Sequence, residues 1–224
     1  MPVLDGLPLS IPLESVARSL RLAGPAGEAK ARALLEEALP LLRPRALYRE
    51  VFIDEKNPGS VTAEGLTFKS RVLRANLDPA EKFFPYVLTV GGELEERAQR
   101  AGDLLRQFSL ETVADLALEA AAGHLESHLR ARFGFERMAS LSPGSLEDWP
   151  ITEQRPLFAL LGNPEAEVGV RLSESLLMIP RKSISGVFFP TAESFTSCQL
   201  CLREGCPGRR APFDPEMKRK FDSV

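Results

Sequence analysis

The stretch from residue 110 to 129 constrains this chain most. Leu110, Ala114, Leu118, Ala121, Leu125 and Leu129 recur at helical spacing and fall in one stripe. The alanines around them favour helix and let a neighbour approach closely. Such a stripe has to be covered, so a helix here belongs at the centre of the fold. His124 and His128 stand four residues apart on an adjacent face, a spacing that can hold a metal ion. With no HExxH context around them, the pair reads more naturally as a polar edge.

The surfaces that can cover the stripe lie on both sides of it. Upstream, Leu13, Val16, Ala17 and Leu20 repeat as one amphipathic helix and Ala31, Leu34, Leu35, Ala38 and Leu42 as a second, with Pro44 as a stop signal. Alternation then predicts a strand over 46–53, with Leu47, Val51 and Ile53 on one face and Tyr48 and Phe52 on the other. After the turn cluster Asn57-Pro58-Gly59-Ser60, residues 61–68 read as a weaker strand paired with the first. The run 84–90 is a buried strand entering Gly91-Gly92, and a helix follows whose apolar face is Leu94, Ala98, Ala101, Leu105 and Phe108. Its first turn carries Glu93, Glu95 and Glu96, which complement the helix dipole whether or not they do anything else.

Downstream, 133–150 holds Gly134, Pro143, Gly144 and Pro150 and reads as a long irregular loop. Thr152 is placed to cap a short helix with Leu157, Leu160 and Leu161 inside and Gly162 at its end. Residues 176–179 and 184–189 read as an antiparallel pair joined through Pro180-Arg181-Lys182. Ser183, Ser185 and Gly186 interrupt the apolar run, a sign that something approaches the backbone closely.

Charge and composition narrow the function. The formal net charge is -3, with no long basic block, which argues against nucleic acid as a partner. No run approaches the roughly 20 apolar residues of a membrane span, and the first residues lack a basic start and apolar stretch, so a cytoplasmic location is expected. The three cysteines, Cys198, Cys201 and Cys206, fall within nine positions. That spacing suits a shared metal or redox site better than a disulfide framework, with free thiols as the alternative. The expected organisation is a main unit over 1–195 and a cysteine-containing appendage over 196–224.

The segment Gly169-Val170-Arg171-Leu172-Ser173-Glu174-Ser175, followed by Met178, Pro180, Ser183, Ser185, Gly186 and Phe189, resembles the reactivation domain of cobalamin-dependent methionine synthase. That domain carries G-x-x-L-T-E-S, then M-x-P, then S-V-S-G-x-x-F. Upstream, residues 88–96 resemble its strand, double-glycine turn and acidic helix start. The resemblance covers roughly 84–195. It implies an α+β fold, a twisted antiparallel sheet surrounded by helices. It also implies a role in reductive remethylation, in which S-adenosylmethionine supplies the methyl group to an oxidised corrinoid while an electron donor reduces it.

The resemblance further implies a partner: a corrinoid-carrying protein or cobalamin-dependent methyltransferase, with a reductant protein beside it. Where the family has R-P-A-P-G-Y, this chain has Ser140-Leu141-Ser142-Pro143-Gly144-Ser145, so the Pro-Gly is kept and the arginine and tyrosine are not. Ser142, Pro143 and Gly144 are thereby the candidate S-adenosylmethionine positions, through backbone contacts, and Glu93 and Glu174 are candidates for polar contacts. The cysteine tail resembles that of stand-alone relatives found beside corrinoid methyltransferases. Its expected occupant is zinc or an iron-sulfur cluster on Cys198, Cys201 and Cys206. Three functions follow from this pattern: a stand-alone corrinoid reactivation protein, a cysteine-cluster accessory protein that does not bind S-adenosylmethionine, or a non-catalytic module whose cleft only recognises the corrinoid domain.

Overall fold

In the computed structural model, which describes residues 2–192, 195–206 and 209–222, strand β1 (Val3–Asp5) precedes helices α1 (Leu13–Ser19) and α2 (Gly24–Ala38). Strands β2 (Arg45–Tyr48), β3 (Val51–Phe52), β4 (Glu55–Asn57), β5 (Ser60–Ala63) and β6 (Leu66–Lys69) follow. Helix α3 (Arg71–Asn76), strand β7 (Lys82–Thr89), and helices α4 (Glu93–Gln99) and α5 (Leu104–Phe133) make up the middle of the chain. The rest comprises β8 (Met138–Leu141), α6 (Gln154–Leu160), α7 (Pro164–Val168), β9 (Arg171–Leu172), β10 (Met178–Ile179), β11 (Ser183–Pro190) and α8 (Pro215–Asp222).

The main sheet is antiparallel, in the order β1-β2-β7-β11-β8, with β3 also on β7. Its two eight-residue strands, β7 and β11, lie side by side in the interior and are buried along almost their whole length. Burial on both faces explains why they read as near-continuous apolar runs. Pro85 stands inside β7 and has no N–H to offer the ladder. Opposite it, the neighbouring chain breaks between β2 and β3, and the Arg49 N–H donates to the Pro85 carbonyl at 3.1 Å. The expected single strand over 46–53 is therefore two short ones, although Leu47 and Val51 do share one buried face and Tyr48 faces the other.

Each face of the sheet has its own cover. On one, Tyr48, Phe84, Tyr86, Leu88 and Phe188 pack with Ala121, Leu125 and Leu129 of α5. The first half of α5 continues into a helical layer with α1, α2 and α4 through Val16, Ala31, Leu34, Leu94 and Leu110. Asp103 caps α5 by accepting from the Leu105 and Arg106 N–H groups, and Gly134, at φ 72, ends it in the left-handed conformation. On the opposite face, Leu47, Phe83, Val87, Val187 and Phe189 meet Phe68, Leu73, Trp149, Leu157 and Leu161, contributed by a small second sheet, short helices and the loop that carries Trp149. Leu200 and Phe221 of the C-terminal tail are buried in this same cluster.

Several local expectations are corrected. Residues 61–68 do not pair with the first strand. They form their own hairpin, β5-β6, turned at Glu64 and Gly65 with φ of 48 and 75, the mirror-image turn that suits strand twist. Strand β10 pairs with β9 and not with β11. A two-residue strand cannot cover an eight-residue buried one, whose partners are instead β7 and β8. The region 133–150 is not wholly irregular, because β8 lies within it. Leu105 and Phe108 are exposed, not buried, since the chain turns at Gly102 and restarts as α5 with those residues on its outer side. The short helix after Pro150 has no side-chain cap from Thr152, which sits inside a 3-10 turn that leads into α6.

Candidate functional site

The glycine in β11 marks a seam. A Cβ on Gly186 would lie 2.3 Å from the Leu141 carbonyl oxygen and 2.8 Å from the Ser142 hydroxyl oxygen. Only glycine permits that approach. The close neighbour that the small residues of β11 suggested is therefore the chain's own Pro-Gly segment as it leaves β8. Ser142 also hydrogen-bonds Tyr86, which lies opposite Gly186 in the ladder and stacks on Phe188 at 4.6 Å. Full burial pushes the Tyr86 phenol up to about 12, with the Ser142 bond pulling the other way.

Beyond Ser142 the loop closes on itself. Gly144, at φ +82, donates its N–H to the Trp149 carbonyl at 2.7 Å, and the Ser145 N–H and hydroxyl both donate to the Ser142 carbonyl. Trp149 donates back to Leu146 and its ring is wholly buried. Asp148 then ties this loop to α3. It accepts from the Ser70 hydroxyl, from the Val72 N–H at 3.0 Å and from Arg71 at 3.2 Å. Burial by itself would raise its pKa, but the Ser70, Val72 and Arg71 bonds outweigh burial and hold the carboxyl below the usual carboxylate range.

A cleft of about 540 Å³ opens here, lined by Arg71, Val72, residues 145–148, residues 200–202, Lys218 and Phe221. Its size is that of a small-molecule site. One wall is the continuation of the Pro-Gly segment and the facing wall is the cysteine tail. The tail is shaped by one guanidinium. Arg209 donates to the carbonyls of Cys198, Ala211 and Cys201 at 3.1, 3.2 and 3.1 Å, and to that of Arg203. Planar guanidinium donors suit such a fan of acceptors.

The candidate residues divide. Ser142 and Pro143 support the loop from within, Ser142 on Tyr86 and Pro143 buried, while Gly144 has spent its N–H on Trp149. None of the three lines the cleft, which begins at Ser145. Glu93 pairs with Arg43 at 3.0 Å at the start of α4. Glu174 is exposed in the turn between β9 and β10, where the Ser173 hydroxyl meets that of Ser175 and accepts from the Leu177 N–H. Cys198, Cys201 and Cys206 are free thiols. Among the described residues, no group of three His, Cys, Asp or Glu side chains is placed to hold a metal ion, so the expected shared metal finds no ligand cage in these cysteines. His128 bonds Tyr48 at 3.0 Å through Nε2, a polar edge on α5.

Sequence reasoning missed Asp148 and Tyr86, and it placed Arg209 beside the thiols without foreseeing the carbonyls it holds. Asp148 meets partners 76 to 78 positions away, so no local spacing announces it. Arg209 had a signal, since an arginine next to clustered cysteines was visible, but its acceptors are backbone carbonyls, which no sequence displays.

The family model described as vitamin B12 dependent methionine synthase, activation domain, matches residues 80–200, more than half of the chain. The chain belongs to that family. The matched span runs from β7 through α5, β8 and β11 into the start of the tail, so the activation-domain region contains the Gly186 seam and, of the three cysteines, Cys198 alone. A solved structure, the crystal structure of the MetH reactivation domain bound to AdoHcy, superposes with a TM-score of 0.62 at 17% identity, covering 88% of this chain and 81% of that one. The α+β activation-domain architecture is thereby shown, and a corrinoid reactivation role comes with the family. No curated protein matches.

Proposed function

We propose that this protein acts as a separate reactivation subunit: it docks on a corrinoid-carrying protein, holds S-adenosylmethionine in the cleft between residues 145–148 and 200–202, and supports remethylation of the oxidised corrinoid. The observation that carries the reading is the position of the cleft. Its wall is the direct continuation of the Pro-Gly segment that the family resemblance assigns to the cofactor.

The lining residues fit that ligand chemically. S-adenosylmethionine is an amino acid with a sulfonium centre, and it would supply the methyl group as an electrophile. Glu147 provides negative charge for its cationic groups, Lys218 positive charge for its carboxylate, and Leu146, Leu200 and Phe221 an apolar floor. The chain's task is placement. Asp148, fixed by Ser70 and Val72, keeps the loop in one position, so the ligand is met by a wall that does not have to reorganise. No nucleophile and base are needed for that placement.

Titration calorimetry tests the reading. S-adenosylmethionine and S-adenosylhomocysteine should both bind, and Leu202→Trp, which fills the cleft from an exposed position, should weaken both at unchanged thermal stability. Absence of binding at millimolar ligand overturns it. A second reading is an accessory protein that serves a corrinoid methyltransferase through its cysteines without S-adenosylmethionine. It is favoured by Ser140 and Ser145 in place of the family's arginine and tyrosine. Iron, zinc and sulfide analysis of anaerobically purified protein addresses the metal-dependent form of that reading.

A further inference from the structure

The tail offers chemistry that a methyl-group donor site does not use. Residues 196–201 make three successive tight turns: the N–H groups of Gln199, Leu200 and Cys201 donate to the carbonyls of Thr196, Ser197 and Cys198 at 3.0, 3.1 and 3.3 Å. Cys198, inside the 3-10 turn Ser197–Gln199, and Cys201, just past its cap Leu200, are therefore the two ends of one hydrogen-bonded turn. A chain reversal closed by such a bond brings its end Cα atoms within about 7 Å, the range a disulfide can span.

The two thiols have different surroundings. The Cys198 sulfur accepts the Arg210 N–H at 3.4 Å, and the Ala211 N–H and Thr196 hydroxyl are also directed at it. Cys201 instead lines the open cleft. The arrangement pairs a stabilised nucleophilic sulfur with a second, accessible one.

We infer that Cys198 and Cys201 form a thiol-disulfide exchange site whose oxidant is a low-molecular-weight disulfide such as oxidised glutathione. The Cys198 thiolate attacks one sulfur of that disulfide, forming a mixed disulfide and releasing one thiolate. Cys201, its proton passing to the released thiolate, then attacks the Cys198 sulfur and expels the second. The protein dithiol loses two electrons and two protons, and the small disulfide becomes two thiols. Arg209 holds the carbonyls of both cysteines, so the turn is in place before the exchange. Because Cys201 is part of the cleft wall, the bond changes that wall. The inference stands whether or not S-adenosylmethionine binds.

The test uses the full chain with Cys206→Ser, incubated with oxidised glutathione and mapped by mass spectrometry after alkylation. The expected product has Cys198 and Cys201 joined and unalkylated. Adding Cys201→Ser should trap glutathione on Cys198, whereas adding Cys198→Ser should leave Cys201 slow to react. In the native chain, iodoacetamide should modify Cys198 several-fold faster than Cys206 at neutral pH. Failure of the two sulfurs to join, trapping at Cys201 in preference to Cys198, or recovery of the native chain with zinc or iron protecting all three thiols would overturn the inference.

Discussion

Strand β11 and the tail that follows it are held by opposite means. The strand is eight residues long, buried, and paired on both edges, and at Gly186 its backbone touches the next segment so closely that no side chain fits. The tail is anchored by Leu200 and Phe221 in the core beneath it, and its shape comes from Arg209 reaching carbonyls of Cys198, Cys201, Arg203 and Ala211. Dense packing makes the first region intolerant of added volume. A polar clamp makes the second able to open without unfolding the rest.

The comparison can be broken most sharply at Gly186. Gly186→Ala should cost about 3 kcal/mol in urea denaturation, because the Leu141 carbonyl has to move to admit a methyl group. Gly169→Ala is the control: its φ of +75 makes the change unfavourable, but nothing lies within 4 Å, so about 1 kcal/mol is expected. Equal effects at the two glycines would mean that the seam is not tightly packed.

Next in size is Arg209→Ala, which leaves its carbonyl acceptors without their cation and should cost the tail about 2 kcal/mol. The readout is local. Amide exchange should quicken over 196–206 while β7 and β11 keep their protection, and a uniform loss across the sheet would show that the two regions are not separable.

A smaller effect is expected from Asp148. Its carboxyl titrates below its unfolded value, so its contribution to stability is present above pH about 4 and is lost as pH falls through the folded value. Asp148→Asn should therefore be less stable than the native chain at neutral pH, with the gap narrowing in acid. A gap that stays constant with pH would assign the effect to packing alone.

The smallest effect is spectroscopic. The chain has two tyrosines, and burial raises both Tyr48 and Tyr86, the latter to about 12. The folded protein should show little tyrosinate at pH 10, whereas urea-unfolded protein should be about half ionised there. For Tyr86 the sign is the reverse of that for Asp148: its contribution is complete below pH 10 and is lost as pH rises toward 12. A normal titration of both phenols in the native state would contradict the burial of the Tyr86–Ser142 contact.

Part of this was legible beforehand. The α5 stripe, the apolar runs of β7 and β11 and the Gly91-Gly92 turn all signal themselves through periodicity or composition, because burial of one face or both leaves a repeating mark. The site was less legible. The resemblance assigns Ser142, Pro143 and Gly144 to the cofactor, yet their donors and side chains serve the loop, and the cleft starts one residue later. Glu93 and Glu174 carry suggestive motifs but sit at Arg43 and in an exposed turn.

By itself, then, the sequence determined the α+β class, the central helix, the two long strands and the family, since each depends on residue order over short windows or on an ordered set of motifs. Only the tertiary structure decided which strands pair, why Gly186 must be glycine, that Asp148 is bound to Ser70 and Val72, and that Arg209 shapes the cysteine turn. These join positions far apart in the chain or end on backbone carbonyls. Every residue carries a backbone carbonyl, so its role is set by where the fold places it and not by which amino acid it belongs to.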